Sequence, residues 1–459
     1  MKIAITQLHT TRHIKLYIRL ADYLVSKGAD VCFISNKRYI QSRIENSGYQ
    51  CGILKCENIK SNYNKSEQAK QWTKICDKFD IIETLDRFIH VEWVQNKYEY
   101  YSKNELRSQC ISKFDKMEKL CSELKFDIVI QPLASELDRR IIHYVSKNLA
   151  RSFYYHVSLL PHRQFMFCID EFGLPYLEFA NSKDQSINMR DLRARLKAER
   201  DNNKYLRKVE NKKDVFLSKI DNMIHSNYLR YLKSRIHRLF TFNIVSIRKA
   251  YERFRNLKKL GYTADQLASK AYIFYTIHQP DEAQTIIRGY HNISEIELIR
   301  IICYNLTSSV SLVVKLHPRV EYTYSNAFMK ELTQIPNLVL AKSGEDSLAL
   351  ARNSLCVLTI SSSIWMECLL ENIPCFTFGR GAFDAFDNYP YSVGIDTLTN
   401  VIKLPPSGLR RDLRFDENLV NSIYQNSFAH ERNAFSLDAH IRLGDAIFYL
   451  CSKMKTDRR

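Results

Sequence analysis

Residues 355–379 carry the pattern that most constrains the fold, because two short apolar runs flank a helix-forming segment. Residues 355–360 are apolar with Val and Thr, which is typical of a strand buried on both faces. Three serines at 361–363 end this run, and the apolar residues after them predict a short helix that stops near Pro374. Residues 375–378 predict a second strand. The stretch therefore predicts a β–α–β unit of a parallel sheet.

The three serines lie where a predicted strand meets the N-terminus of a predicted helix. Free N–H groups and the positive end of the helix dipole favour a phosphate at such a position. In open α/β sheets the same edge is where ligands bind. Serines also cap helices without any further role. An anion site and an ordinary helix cap are thus both open interpretations.

Length and composition favour a globular protein of two or three domains. The chain has 459 residues, of which 45% are apolar, and its twelve cysteines are scattered without a CxxC pair. We expect reduced thiols and no zinc. No signal peptide is expected at the N-terminus, and no apolar run reaches the ~18–20 residues of a membrane-spanning helix. The expected location is the cytoplasm.

Positive charge is concentrated in one segment. Residues 190–260 contain 21 Lys and Arg against 7 Asp and Glu, while the whole chain has a formal net charge of +18. The expected partner of this segment is acidic: a lipid surface, an anionic polysaccharide or nucleic acid. Within it, residues 228–240 predict a basic amphipathic helix suited to the inner face of the plasma membrane. A helical insertion with a solvated basic face is the alternative.

The N-terminal half predicts two further β–α–β patterns. The first covers residues 2–35, and its polar turn offers His9 and Arg12 as candidate acceptor-binding residues or as parts of a solvated loop. It lacks a GxGxxG dinucleotide fingerprint. The second starts with a strand at 127–131. It is followed by candidate general bases that could equally form ion pairs or caps: Glu136, Asp170 and Glu171.

From residue 271 strands and helices alternate with short connections, as in a doubly wound parallel sheet. Three strand-end turns, HQPDE, KLHPR and TISSS, are expected to meet at one edge. Cations, imidazoles, hydroxyls and a helix N-terminus would together form a phosphate cradle. No D-x-D pair ends a strand, so no obligatory metal is expected. No cofactor is expected either, because a nucleotide-sugar donor is a substrate. The candidate donor-binding residues from these turns are His278, Glu282, Lys315, His317, Pro318, Arg319, Ser361, Ser362 and Ser363.

The sequences YTIHQPDEA, VVKLHPR and TISSSIWMECLLENIPCFTFG resemble those of bacterial capsule and surface polysaccharide biosynthesis proteins. The HP and serine-pair motifs are also similar to those of sialyltransferases and Kdo transferases, which use CMP-activated sugars. The resemblance extends over about 270–395, is weaker over 126–175 and is not expected over 180–268. It implies a glycosyltransferase with the two-Rossmann GT-B fold, which the absence of a D-x-D pair predicts to be metal-independent.

The resemblance also implies roles for single residues. His317, Ser361 and Ser362 would contact the donor phosphate, Glu367 the nucleotide ribose, and His278 with Glu282 would line the same cleft. Arg163 and Glu136 fit the family pattern in the first domain. The acidic-acidic-Gly motif that supplies the base in sialyltransferase-like families has an extra Phe here, so that the sequence reads Asp170-Glu171-Phe172-Gly173.

The expected architecture is therefore α/β, with two Rossmann-like domains (GT-B) and a basic helical insertion between them. The expected boundaries are 1–178 for the acceptor domain, 179–268 for the insertion, 269–436 for the nucleotide-sugar domain, and 437–459 for a C-terminal helix that crosses back. The expected activity is transfer of a sugar from a nucleotide-activated donor, with a CMP-sugar favoured, to a lipid-linked or oligosaccharide acceptor in surface polysaccharide assembly. The alternatives are a CDP-polyol phosphotransferase and a non-catalytic protein that binds anionic glycan or nucleic acid; nucleic acid is the less expected partner.

Overall fold

The computed structural model describes residues 1–6, 11–54, 64–95, 102–133, 136–157, 165–176, 190–194, 197–198, 261–278, 287–289, 294–317, 326–342, 344–385 and 439–456. The chain forms two compact units. The first consists of Met1–Ile187 with Asn418–Arg459, and the second of Asn188–Glu417. Most of the basic segment, including the expected amphipathic helix at 228–240, lies outside the described residues.

The first unit contains a six-stranded sheet in the order β3-β2-β1-β4-β5-β6. Neighbouring strands from β3 to β5 are parallel, whereas β6 runs antiparallel to β5. The strand order reverses between β1 and β4, as in a doubly wound sheet. The strands are β1 (Lys2–Thr6), β2 (Asp30–Ser35), β3 (Gln50–Ile53), β4 (Ile128–Pro132), β5 (Arg151–Val157) and β6 (Phe165–Cys168).

Helices cover both faces of this sheet, which is why its central strands are apolar on both sides. Side-chain alternation along β1 places Ile3 and Ile5 in one core and Ala4 in the other. The helices of the first unit are α1 (Thr11–Ser26), α2 (Arg38–Glu45), α3 (Lys65–Phe79), α4 (Leu85–Phe88), α5 (His90–Gln95), α6 (Lys103–Leu124) and α7 (Leu137–Leu149).

The helix Ala439–Thr456, which is α13 in chain order, belongs to the core of the first unit. Its residues Leu443, Ile447 and Leu450 are buried in the same cluster as α1. The two helices approach closely at Gly444, where an added Cβ would lie 2.4 Å from the Tyr23 ring. A side chain at position 444 would therefore require the Tyr23 ring or one of the two helices to move.

The second unit contains a five-stranded parallel sheet in the order β11-β10-β7-β8-β9. The strand order reverses between β7 and β10. The strands are β7 (Tyr272–Thr276), β8 (Ser311–Lys315), β9 (Leu338–Ala341), β10 (Val357–Thr359) and β11 (Cys375–Thr377). The helices are α8 (Ala264–Leu267), α9 (Glu295–Asn305), α10 (Asn326–Thr333), α11 (Ser347–Arg352) and α12 (Ile364–Glu371).

The β–α–β unit predicted at 355–379 is present as β10, α12 and β11. Asn372 ends α12 in the left-handed conformation, and its N–H donates to the carbonyl of Leu369. Gly379 follows β11, and a Cβ there would lie 2.7 Å from the carbonyl oxygens of both Ile360 and Arg288. Only glycine permits this close approach of three backbone segments.

The prediction of an α/β protein with two Rossmann-like sheets is confirmed. Within the described ranges, no helix combines the length and the apolar character that crossing a bilayer requires.

Candidate functional site

Three strand-end turns lie side by side at the carboxyl edge of the second sheet. β7 lies between β10 and β8, with Tyr275 paired to Leu358 on one side and to Val314 on the other. His278, Lys315 and Ser361 therefore follow or end three adjacent parallel strands. The reversal of strand order between β7 and β10 is the place where α/β sheets open a crevice for ligands.

Hydrogen bonds join the turn after β7 to the turn after β10. The backbone N–H of Ser361 donates to Nε2 of His278 at 3.4 Å. The hydroxyls of Thr276 and Thr359 lie 3.2 Å apart, and the N–H of Ser362 donates to Oγ1 of Thr359 at 3.1 Å. Two of the three predicted turns are thus in direct contact.

The Ser361 hydroxyl is the chemically unusual group of this site. The residue is 7% exposed, and its Oγ has no hydrogen-bond partner among the described residues. A buried hydroxyl without a partner costs about 1–3 kcal/mol, so native proteins keep few of them. A bound ligand or an ordered water can supply the missing partner of such a group.

Ser363 occupies the N-cap position of α12, but its side chain makes no capping hydrogen bond. The backbone hydrogen bonds of the described residues do not use the N–H groups of Ser363 and Ile364. The helix start therefore retains donors for an anion, and the simple capping interpretation does not account for Ser363.

Cationic and polar side chains complete the described part of this edge. Lys315 ends β8, is 8% exposed and donates from Nζ to Oγ of Ser347 at 2.8 Å. His317 follows two residues later and is partly buried, as is Glu367 in the first turn of α12. Three predicted residues lie outside the described residues: Glu282, Pro318 and Arg319.

Glu295 is part of this site, although the sequence reasoning missed it. Its Oε1 accepts hydrogen bonds from the Tyr275 hydroxyl at 2.9 Å and from both the backbone N–H and Nδ1 of His278, at 2.9 and 3.0 Å. An acidic residue is common in the first turn of a helix, because the positive end of the helix dipole stabilises its negative charge. The sequence therefore carried no specific signal for this contact.

In the first unit, Glu136 lies just beyond the carboxyl end of β4, beside the reversal of strand order. It is the N-cap residue of α7, and its Oε2 lies 3.4 Å from Nε of Arg139. Its side chain is 37% exposed, although Oε2 itself is buried and has no hydrogen-bond partner among the described residues. This position is compatible with the predicted role as general base, which stays a prediction.

Asp170 and Glu171 have local structural functions. Asp170 accepts hydrogen bonds from the N–H groups of Phe172 and Leu174, at 3.0 and 2.8 Å, and thereby closes the turn after β6. Glu171 has a side chain only 3% exposed, and it accepts from the Tyr144 hydroxyl at 3.1 Å while Arg140 lies 3.5 Å away. These contacts favour Glu136 over both residues as the base.

The charge of Glu171 is maintained by its partners. Burial by itself would raise the pKa of this carboxyl, but the charge of Arg140, with hydrogen bonds from the Glu171 backbone and Tyr144, brings the pKa below its ordinary value. Arg140 is 1% exposed and also donates to Glu83 at 2.9 Å. The cluster is therefore a buried ion pair that ties the turn after β6 to α7.

Of the three predicted acceptor-binding residues, only Arg12 lies within the described residues. His9 and Arg163 lie outside the described residues, and Arg12 lies in the first turn of α1. Across the described ranges, no group of three or more His, Cys, Asp or Glu side chains has the arrangement of a metal site.

The family model of capsule polysaccharide biosynthesis proteins matches residues 190–386. The three turns lie inside this range, so the predicted resemblance to that family is confirmed there. The match also covers 190–268, where no resemblance was expected, and that part of the prediction is wrong. None of the curated proteins matches the chain.

Solved structures of nucleotide-sugar enzymes align with most of the chain at low similarity. UDP-GlcNAc 2-epimerase from Methanocaldococcus jannaschii is 13% identical, with 99% of this chain and 100% of that chain covered and a TM-score of 0.27. The S. aureus MnaA–UDP co-structure is 12% identical, with 98% and 97% covered and a TM-score of 0.29. Glycosyltransferase VinC in complex with dTDP is 12% identical, with 93% and 99% covered and a TM-score of 0.25. Alignments with TM-scores this low do not establish a shared fold or a shared function.

Proposed function

We propose that the protein is a glycosyltransferase of surface polysaccharide assembly, which moves a sugar from a nucleotide-activated donor to a growing glycan. The observation that carries the proposal is the buried hydroxyl of Ser361, which has no hydrogen-bond partner among the described residues and lies in a turn that His278 holds at the reversal point of a parallel sheet. The match of this region to the capsule polysaccharide biosynthesis family supports the same class of substrate.

The chemistry follows from where charge develops. When the bond between the anomeric carbon and the donor phosphate breaks, negative charge builds up on the leaving phosphate oxygen. The Ser361 hydroxyl and the N–H groups of Ser363 and Ile364 are donors for that oxygen. The ammonium group of Lys315 belongs to the end of β8, which is separated from β10 by β7 alone. We propose that these donors act without a metal ion.

The acceptor hydroxyl must lose a proton as its oxygen bonds to the anomeric carbon. We propose Glu136 as the base that takes this proton, because Glu171 is buried against Arg140 and Asp170 already accepts from two backbone N–H groups. His317 and Glu367 remain proposed donor-binding residues for the phosphate and the ribose.

We further propose that the donor is a CMP-sugar of the Kdo or sialic acid type, on the basis of the HP and serine motifs. The proposed acceptor is lipid-linked, because residues 190–260 carry an excess of 14 positive charges that suits an anionic membrane. Sedimentation with vesicles that contain phosphatidylglycerol, compared with phosphatidylcholine alone, tests the membrane partner.

Activity is tested by incubating the purified protein with CMP-, UDP- and CDP-activated donors and measuring nucleotide release and product mass. The expected result is release of one nucleotide that Ser361→Ala and His317→Ala abolish. Ser354→Ala is a matched control, because Ser354 is also buried but lies before β10, at the opposite edge, and donates to the carbonyl of Ala351. Full activity of both site variants would refute the assigned site.

The same screen separates the alternatives. Transfer of a polyol phosphate from CDP-glycerol would identify a phosphotransferase instead. Binding of an anionic glycan or nucleic acid without turnover of any donor would identify a binding protein.

A further inference from the structure

We propose that Glu295 is a positioning residue of the site, which acts on the donor-binding turn through His278. The inference rests on the proposed function, because the turn after β10 matters for catalysis only if it holds the donor. Glu295 belongs to none of the three motifs, and its contacts with Tyr275 and His278 lie within the second unit.

One carboxylate oxygen receives three hydrogen bonds. Oε1 of Glu295 accepts from the Tyr275 hydroxyl, from the backbone N–H of His278 and from Nδ1 of the same histidine, at 2.9, 2.9 and 3.0 Å. His278 is 5% exposed and Tyr275 is fully buried. The carboxylate therefore holds both the main chain and the imidazole ring of His278.

These contacts determine which imidazole nitrogen carries the proton. An ionised carboxylate only accepts hydrogen bonds, so Nδ1 of His278 must donate to Glu295. A backbone N–H only donates, so Nε2 must accept from Ser361. Only the neutral Nδ1–H tautomer satisfies both contacts, because an imidazolium would direct a second N–H toward the N–H of Ser361.

The tautomer matters because it links two turns that are 83 residues apart in sequence. With Nδ1 held by Glu295, Nε2 anchors the backbone of Ser361, whose hydroxyl has no partner within the described ranges. Without the carboxylate, the ring is free to change tautomer or rotate, and the anchor on Ser361 is lost. The expected consequence is weaker donor binding, since the donor must then order the turn itself.

The first test is NMR of the full-length protein labelled with ¹⁵N-histidine. Two-bond correlations distinguish the ring tautomers, and the His278 signals are identified by their loss in His278→Asn. We expect the Nδ1–H form in the wild type, its retention in Glu295→Gln, whose amide oxygen still accepts, and its loss in Glu295→Ala. A purely structural role for Glu295 would not move this signature.

The second test compares KM and kcat for the donor that the wild type turns over. Glu295→Ala should raise KM at least about tenfold, as expected when the hydrogen bond between His278 and the Ser361 backbone is lost. Glu295→Gln should restore most of the affinity for the donor. Glu297→Ala is the matched control, because Glu297 lies in the same helical turn but pairs with Arg300 at 2.7 Å. It should leave both constants unchanged.

A wild-type His278 in the Nε2–H or imidazolium form overturns the inference, and this measurement needs no variant that has to fold. An unchanged KM in a folded Glu295→Ala variant also overturns it. Absence of turnover and of CMP, CDP and UDP binding by the wild type would instead refute the proposed function, while the NMR result would still decide whether Glu295 sets the tautomer.

Discussion

Replacing Ser361 with alanine should stabilise the protein while removing its donor binding. The Ser361 hydroxyl is buried without a hydrogen-bond partner among the described residues, so the folded protein bears its desolvation cost. Removing a buried, unsatisfied hydroxyl should recover about 1–2 kcal/mol of the free energy of unfolding. Most substitutions of buried residues act in the opposite direction.

Ser354→Ala provides the comparison for this prediction. Ser354 is 5% exposed, and its hydroxyl donates to the carbonyl of Ala351 at 2.7 Å. The backbone N–H of Ser354 also donates to that carbonyl, so the carbonyl keeps a partner after the substitution. We expect a loss of about 1 kcal/mol from the one hydrogen bond removed, with unchanged transferase activity.

The assay is urea unfolding of the wild type and the two variants, followed by circular dichroism, together with calorimetric titration of CMP, CDP and UDP. Ser361→Ala should shift the midpoint of unfolding to higher urea, and Ser354→Ala to lower urea, at the same slope. Equal destabilisation by both substitutions, or undiminished nucleotide binding by Ser361→Ala, would refute the interpretation that a bound nucleotide supplies the missing hydrogen-bond partner of Ser361.

Three further predictions concern the carboxylates of the first unit. Glu136→Gln should lower kcat by about 10²- to 10⁴-fold without changing nucleotide affinity, which single-turnover kinetics and titration measure; an unchanged kcat would exclude it as the base. Asp170→Ala should lower the free energy of unfolding by about 1–3 kcal/mol, because two N–H groups lose their acceptor, and the kcat of the folded variant should not change; a large drop in kcat would restore Asp170 as a catalytic candidate. The folded-state pKa of Glu171 lies below its ordinary value of 4.5, so its contribution to stability is present above that pH and is lost as the pH falls through the folded-state pKa. Urea midpoints between pH 7 and pH 3 should therefore fall more steeply for the wild type than for Glu171→Gln, and parallel curves would contradict the ion pair.

Local patterns were sufficient to predict the elements that form the site. The apolar run before Ser361, the break at Pro374 and the second run at 375–378 correspond to β10, α12 and β11. Burial on both faces requires such continuous apolar runs, so the sequence had to show them. Short connections between strands and helices likewise made a parallel, doubly wound sheet the expected solution.

The first unit shows what such reasoning leaves open. Asp170 and Glu171 have the composition of a catalytic pair, but one caps a turn and the other is buried against Arg140. Residue type does not distinguish these uses, because a carboxylate is equally suited to accept backbone N–H groups, to form an ion pair or to take a proton. Burial and partners make the distinction, and both depend on how β6 and α7 pack.

The sequence by itself determined the alternation of strands and helices and placed hydroxyls and cations at strand ends, because these depend on neighbours along the chain. Only the tertiary structure decided that His278 reaches Ser361, that Glu295 holds His278, and that no described residue bonds the Ser361 hydroxyl. The physical reason is that such contacts depend on strand order. β7 and β10 are far apart in sequence and become neighbours only when the sheet forms.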